Sequence, residues 1–518
     1  MARERAGRKP FRLSWKLARK IVQLSFLTAF ILLFIGSRRG TWPAWLVDLP
    51  MRLDPLAMLA NAIASRTLAA ASLLALLTLL LTILLGRVWC GWICPLGSVL
   101  DLAAFKPGKK ALRPPSESWR QVKYSLLVAI LVAAIVANLS LMVTDPLTLL
   151  YRSLSASLWP AADTAFTTLE KALYAIPFLQ DPISTVDSWI RPTILPQYPA
   201  VYRDGVLYGL VFFAVLGLNF FSPRFWCRYL CPLGAMLGWI SKVALIRRQV
   251  NDACKSCLIC SRACPTGTID PARHFASDPG ECIVCMDCVE DCPFQSNPFK
   301  TSLGVAGSEA YDPGRRQVIG VMGATLAGLA VAQSAADSSH PPSRLIQPPG
   351  ARENDLLSKC IRCGECSRAC PTSAIQPAAW EAGLLGFWTP VLNTRLGYCD
   401  YSCNSCGQVC PVGAIPPLTL ADKRQAILGY AVIDQNRCIA WAQHKPCIVC
   451  QEMCPIPDKA ITLEKISLQS GGQAGQDLLA PRVLVDRCIG CGICEYRCPV
   501  PGQAAIQVQA TVSLEEKL

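Results

Sequence analysis

The sequence predicts an α-helical membrane domain, four spans in two repeats plus a fifth, joined to small α+β modules built on cysteine. Three observations carry this. The 518 residues are 52% hydrophobic with mean hydropathy +0.33, too apolar for an ordinary soluble protein of this length. All 28 cysteines fall in groups, six of four and two of two. The two pairs close near-identical stretches, "GRVWCGWICPLGSVL" from Gly86 and "PRFWCRYLCPLGAML" from Pro223.

Four apolar runs approach the length that crosses about 30 Å of hydrocarbon. They are roughly Ile21–Gly36, Thr67–Leu85, Val122–Val143 and Gly205–Phe221, with a shorter fifth at Gln317–Gln333. The net charge of +14 flanks these runs, which points away from nucleic acid. Eight Lys and Arg residues lie in the first 20 positions, seven from Arg87 to Lys123 and five just after Phe221. The positive-inside rule therefore puts the N-terminus, both cysteine pairs and the stretch after Phe221 in the cytoplasm. The start reads as a basic anchor rather than a cleaved leader.

The repeat is a span, Asp-Pro-Leu, a second span and Trp-Cys-x3-Cys-Pro-Leu-Gly, used twice. Its Asp-Pro-Leu segments begin at Asp54 and Asp145, both on the outer side. Such repeats form pseudo-twofold units with the working site at their interface. The plain reading of Asp-Pro-Leu is a helix start, with Asp capping and Pro in the first turn. The sharper one makes Asp54 and Asp145 catalytic, as proton acceptors. Cys90, Cys94, Cys227 and Cys231 all end spans on the cytoplasmic side. They are candidates for a further metal centre, for redox dithiols, or for inert packing.

Four cysteine groups share C-x2-C-x2-C-x3-C-P: Cys254/Cys257/Cys260/Cys264, Cys282/Cys285/Cys288/Cys292, Cys360/Cys363/Cys366/Cys370 and Cys488/Cys491/Cys494/Cys498. Cys399/Cys403/Cys406/Cys410 and Cys438/Cys447/Cys450/Cys454 stretch the first gap. In this spacing three thiolates wrap one iron–sulfur cube and the fourth ligates the cube of a partner motif, so two motifs make one two-cluster ferredoxin. Zinc sites bring together separated Cys pairs instead, and cytoplasmic disulfides are rare. Six [4Fe–4S] clusters are expected. In the first module Cys254, Cys257, Cys260 and Cys292 form one set and Cys282, Cys285, Cys288 and Cys264 the other. For the last four motifs a nested pairing is expected, first with fourth and second with third, although sequential pairing is also open.

Arg315-Arg316 precedes a Gly/Ala-rich apolar segment and a Ser/Pro-rich linker, which resembles a twin-arginine export signal for folded domains. That places the C-terminal part in the periplasm. The expected organisation is a membrane domain at 1–245, a cytoplasmic ferredoxin module at 246–300, a fifth span at 310–335, a linker at 336–355 and a four-cluster domain at 356–518.

The paired Cys-x3-Cys-Pro motifs, four spans and following tetrads make residues 1–300 resemble the NapH-type membrane quinol dehydrogenase ferredoxin. With Arg315-Arg316, "QPPGARENDLLSKCIRCGECSRACP" and four cluster motifs, residues 310–518 resemble the NapG/MauM-type ferredoxin. The resemblance implies a fusion of the two, in a bacterial inner membrane, that oxidises quinol and delivers electrons to a periplasmic redox partner. A second resemblance, to copper-reducing assembly factors of the CcoG type, rests on the same Cys-x3-Cys-Pro spans and makes metal reduction or metalloenzyme assembly the alternative.

The only histidines are His274, His340 and His444, none of them in a span, so bis-histidine membrane haem is excluded. No Cys-x-x-Cys-His motif is present for c-type haem, and no glycine-rich dinucleotide loop follows a strand. Electrons must travel by clusters, and a quinol that gives two of them also needs proton acceptors.

Overall fold

Helices form at each apolar run, and local chemistry sets their ends. The computed structural model describes residues 14–38, 42–68, 70–104, 117–196, 199–302, 304, 314–339, 345–467 and 477–510. In the first repeat α1 (Trp15–Gly36) is followed by α2 (Pro55–Ser65), α3 (Ala75–Leu85) and α4 (Pro95–Leu102). In the second, α5 (Gln121–Ile135), α6 (Pro146–Ser153), α9 (Gly205–Gly217) and α10 (Pro232–Ser241) correspond in order, with α7 (Trp159–Tyr174) and α8 (Gln180–Thr193) inserted between α6 and α9. Gly86, at φ +73°, turns the chain out of α3. The first cysteine of each pair sits in one π-helical turn, Trp89–Ile93 or Trp226–Leu230, the second follows that turn directly, and the next Pro opens the following helix. A further helix, α11 (Arg315–Ser339), packs along α5.

The span expectation needs correcting in length. Among the described residues only Trp15–Gly36 and Ser118–Ile135 are both long and apolar enough to cross a membrane. At the second and fourth positions the apolar helices Ser72–Leu85 and Gly205–Phe220 are shorter. The third run stops at Ile135, not Val143, because Ala137 turns left-handed and Asn138 Oδ1 accepts the Ser140 amide, starting a separate 3₁₀ turn at Ser140–Thr144. α11 has 25 residues, yet it falls outside the apolar class. Large apolar side chains face outward along the bundle: Ile21 and Leu32 on α1, Leu77 and Leu80 on α3, Leu210 and Phe213 on α9.

The two cysteine-rich parts dock on opposite ends of this bundle. Residues 246–301 form antiparallel pairs: β1 (Ile246–Arg248), β2 (Ile269–Asp270), β3 (Ala276–Ser277) and β4 (Phe299–Thr301) pair as β1 with β4 and β2 with β3. Lys16 and Arg19, near the start of α1, reach Asp291 and Asp287 of this module. Lys123, at the start of α5, donates to Glu281 at 2.6 Å.

Residues 345–510 pair β5 (Ile375–Pro377) with β6 (Pro390–Leu392), β7 (Tyr430–Ile433) with β10 (Ile506–Gln509), and β8 (Ile461–Ser467) with β9 (Asp477–Val483). They dock at the far end of α1, where Arg368 Nε donates to Phe34 O and its guanidinium lies 4.3 Å over the Phe34 ring. Asn61 of α2 donates to Lys359 O at 2.8 Å. Arg152 of α6 donates to Arg362 O and stacks 3.6 Å from the Trp388 ring. Between its contacts at Lys16 and Phe34, α1 separates the two parts by about 27 Å of helix.

Candidate functional site

The regular tetrads share one backbone device. In each, the residue before the second cysteine and the residue after it both take positive φ: Ser256 and Leu258, Val284 and Met286, Arg362 and Gly364, Gly490 and Gly492. Two left-handed residues around the middle cysteine curl the loop tightly at that point. Most of these residues are not glycine, so the strain is held by the surrounding fold. The stretched tetrads lack this double turn.

Pairing follows chain order, which corrects the nested expectation. Cys360, Cys363 and Cys366 ring one cavity together with Cys410. Cys406 lies beside Cys399, Cys403 and Cys370. Cys438, Cys447 and Cys450 ring a second cavity with Cys498, and Cys491 lies beside Cys488 and Cys454. The reason is topological: β7 precedes the fifth tetrad, β10 follows the sixth, and their pairing closes those two tetrads into one unit. The units touch where Cys399 N donates to Cys491 O at 2.8 Å. The four sets are therefore connected in series, with the Cys360 set packed against the bundle. In the first module Cys282, Cys285 and Cys288 meet Cys264, as the sequence led us to expect.

These sets suit a cube. Each is all sulfur, and the sets at Cys360 and at Cys438 each surround a cavity, while among the described residues no three His, Cys, Asp or Glu side chains converge on a single metal ion. Burial pushes Cys282, Cys410 and Cys491 up to about 11 and Cys399 and Cys450 to about 12. Thiolates at such sites need cationic iron beside them. Backbone N–H groups also point at sulfur, from Arg362 to Cys360 and from Ala460 to Cys454, both at 3.4 Å.

At the other end of the bundle the two repeats bring Cys90, Cys94, Cys227 and Cys231 together. Cys231 lies within electrostatic reach of the other three, and all four are buried. Two arginines that the motif reading passed over frame them. Arg224 donates to Cys90 O at 2.7 Å and lies against Gly97, both in the first repeat. Arg87 lies against Gly234 of the second repeat and reaches Glu281 at 3.6 Å. Each arginine stands three residues before its own first cysteine and crosses to the other repeat, so the repeat itself held the signal. The site abuts the first module: Trp92 donates to Val284 O at 2.8 Å, and a Cβ on Gly91 would come within 2.1 Å of Ile283 O.

Asp54 and Asp145 are both caps and a pair. Asp54 Oδ1 accepts from Leu56 and Ala57 amides, and Asp145 Oδ2 from Leu147 and Thr148 amides. Both residues are fully buried. Their other oxygens, Asp54 Oδ2 and Asp145 Oδ1, meet no other donor. They face each other, a contact that becomes a hydrogen bond when one carboxyl carries a proton. Sequence reasoning also missed Glu365, between Cys363 and Cys366. It is fully buried, neither oxygen has a donor, and burial, with Asp48 nearby, pushes its carboxyl well above the usual range.

A family model described as a 4Fe-4S binding domain matches residues 67–114 and 205–251, which hold the four paired cysteines. One described as a 4Fe-4S dicluster domain matches 359–414, uniting the third and fourth tetrads. The chain is 37% identical over 203 residues to the methylamine utilization ferredoxin-type protein MauM of Methylorubrum extorquens, covering 38% of this chain and 89% of the relative. It is 36% identical over 206 residues to ferredoxin-type protein NapG of Escherichia coli, covering 38% of this chain and 85% of the relative. It is 26% identical over 308 residues to ferredoxin-type protein NapH of Haemophilus influenzae, covering 56% of this chain and 90% of the relative. No solved structure matches.

Proposed function

Because the chain belongs to the ferredoxin-type iron–sulfur electron-transfer proteins of the MauM and NapG kind, and is homologous to NapH over a distinct segment, we propose that it carries electrons from the quinone pool to a partner oxidoreductase outside the cytoplasm. The observation that carries this reading is the docking of two ferredoxin parts on opposite ends of an apolar bundle, with about 27 Å of α1 between the contacts, close to the hydrocarbon thickness of a bilayer. Outward-facing Leu77, Leu80, Leu210 and Phe213 support a lipid surround.

Six [4Fe–4S] clusters would occupy the six cysteine sets and supply one-electron transfer. Cys90, Cys94, Cys227 and Cys231 would form a further redox or metal centre beside the first module. The chain's own residues hold the clusters, exclude water from them and accept protons. The Asp54–Asp145 pair is suited to that last task, since a shared proton can be passed on without charging a buried site twice.

The test is to add menaquinol or ubiquinol to the purified protein in lipid nanodiscs and follow the clusters by electron paramagnetic resonance. Reduction by either quinol is expected. Asn at position 54 or 145 keeps the cap but removes the shared proton, and is expected to slow reduction about tenfold or more. Clusters that stay oxidised with both quinols, yet respond to copper, would overturn the reading in favour of a metal-reducing assembly factor. Sidedness has its own check. A periplasm-active reporter fused after Leu518 is expected to be active, and activity of a cytoplasmic reporter alone would end the export claim.

A further inference from the structure

All cysteines lie at the two ends of the bundle, so among the described residues no cysteine-held centre bridges the length of helix between them. Something else must bring electrons to the outer domain. A cleft of about 600 Å³ lies between α5 and α11 and is roofed by the 380–387 loop of the outer domain. Its floor is small and apolar, with Ala129 from α5 and Ala324, Gly328 and Ala332 from α11. Its roof is aromatic: Trp380 and Phe387 have ring centroids 5.6 Å apart. The cleft has the size of a small-molecule site.

The roof packs directly on the wall of the cysteine cavity. Phe387 stacks on Trp388 at 4.6 Å, and Trp388 lines the cavity ringed by Cys360, Cys363, Cys366 and Cys410. Arg362, inside that cysteine loop, donates to Phe387 O at 2.9 Å, to Leu385 O at 2.8 Å and to Cys360 O at 3.1 Å. Two stacked rings, Phe387 and Trp388, therefore separate the cleft from the set of thiols nearest the bundle. Val143, which lines the cleft and packs in one cluster with Phe387 and Trp388, lies two residues before Asp145.

We propose that this cleft is the quinol site, with the ring under Trp380 and Phe387 and the isoprenoid tail along the α5–α11 groove. The proposal rests on the quinone-pool reading above. A lipid chain would fit the groove, but it would gain nothing from a roof packed on a redox centre. In the step, quinol loses both O–H bonds and becomes quinone. Clusters held by Cys360, Cys363, Cys366 and Cys410 and by their partner set would take its two electrons singly, and its two protons leave in turn through the Asp145–Asp54 pair to the outer face. The partner oxidoreductase re-oxidises the chain.

Gly328 gives a direct test, because a Cβ built there meets nothing within 4 Å and a large side chain enters the cleft freely. In nanodiscs, Gly328→Trp and Ala129→Trp are expected to slow quinol-driven cluster reduction at least about tenfold. Their spectra after dithionite reduction should match the parent protein. A photoreactive azidoquinone is expected to label segments 321–332 and 380–387. Full-speed reduction in both variants, or label found only near Cys90 and Cys227, would overturn the cleft while leaving the quinol reading intact. A parent protein that no quinol reduces would overturn that reading, and the cleft assignment with it.

Discussion

Replacing Cys498 with alanine is expected to abolish the centre ringed by Cys438, Cys447 and Cys450 and to spare the one ringed by Cys360, Cys363 and Cys366. Cys498 lines the outermost cavity, whereas Cys410 completes the set against the bundle. Nested pairing demands the opposite, because there Cys498 would serve Cys360, Cys363 and Cys366. The complementary variant, Cys410→Ala, should therefore strike the innermost set. Each variant is expected to lose up to about four iron atoms per chain, the content of one cube.

The functional consequences also separate. The sets are connected in series through the Cys399–Cys491 contact. Loss at Cys410 blocks entry, so quinol should fail to reduce the remaining outer centres. Loss at Cys498 spares entry and removes the exit, so quinol should still reduce three outer sets while delivery to a partner stops. Iron analysis with electron paramagnetic resonance of both variants decides this. An unchanged set at Cys438, Cys447 and Cys450 in Cys498→Ala would refute chain-order pairing.

That pairing was the part of the site least legible in the sequence. Cysteine spacing announces iron–sulfur chemistry because three ligands within seven residues are a local property. The partner of the fourth cysteine is decided by contacts far along the chain, here the pairing of β7 with β10, and no local spacing encodes it. The stretched fourth and fifth motifs suggested a matched couple, yet each pairs with a regular neighbour.

The helices were legible by hydropathy, but their usable lengths were not. Asn138 and Ala137 end the third run early through one side-chain hydrogen bond and one left-handed residue. Asp-Pro-Leu posed a choice between cap and proton acceptor. The structure makes both aspartates caps and leaves each with one oxygen facing the other, so the cap does not exclude the second role.

Replacing Arg224 should break the four-thiol site at the other end. Its guanidinium grips both oxygens of Asp101 at 2.6 Å and Cys90 O at 2.7 Å, with a side-chain exposure of 1%. Arg224→Ala leaves the Cys90 carbonyl without this donor and Asp101, which is 24% exposed, with Gln23, so the loss is expected at about 1–3 kcal/mol. Arg224→Lys should recover little, since a single ammonium cannot span two carboxylate oxygens and a carbonyl across the repeat interface. Thermal unfolding in detergent measures the loss.

The loss should also depend on pH. Burial pushes the Asp101 carboxyl up, but Arg224 outweighs it and holds the group below the usual carboxylate range. A lowered folded value adds stability above the unfolded carboxylate value of about 3.9 and loses it as pH falls through the folded one. The penalty of Arg224→Ala should be full near neutrality and shrink below about pH 4. A penalty that stays constant into acid would mean that Arg224 acts by packing on Gly97 and not by its charge. With the clamp gone, the thiols of Cys90 and Cys94 should drift from those of Cys227 and Cys231. Iron or thiol-reagent stoichiometry at that site should then change while the ferredoxin signals persist.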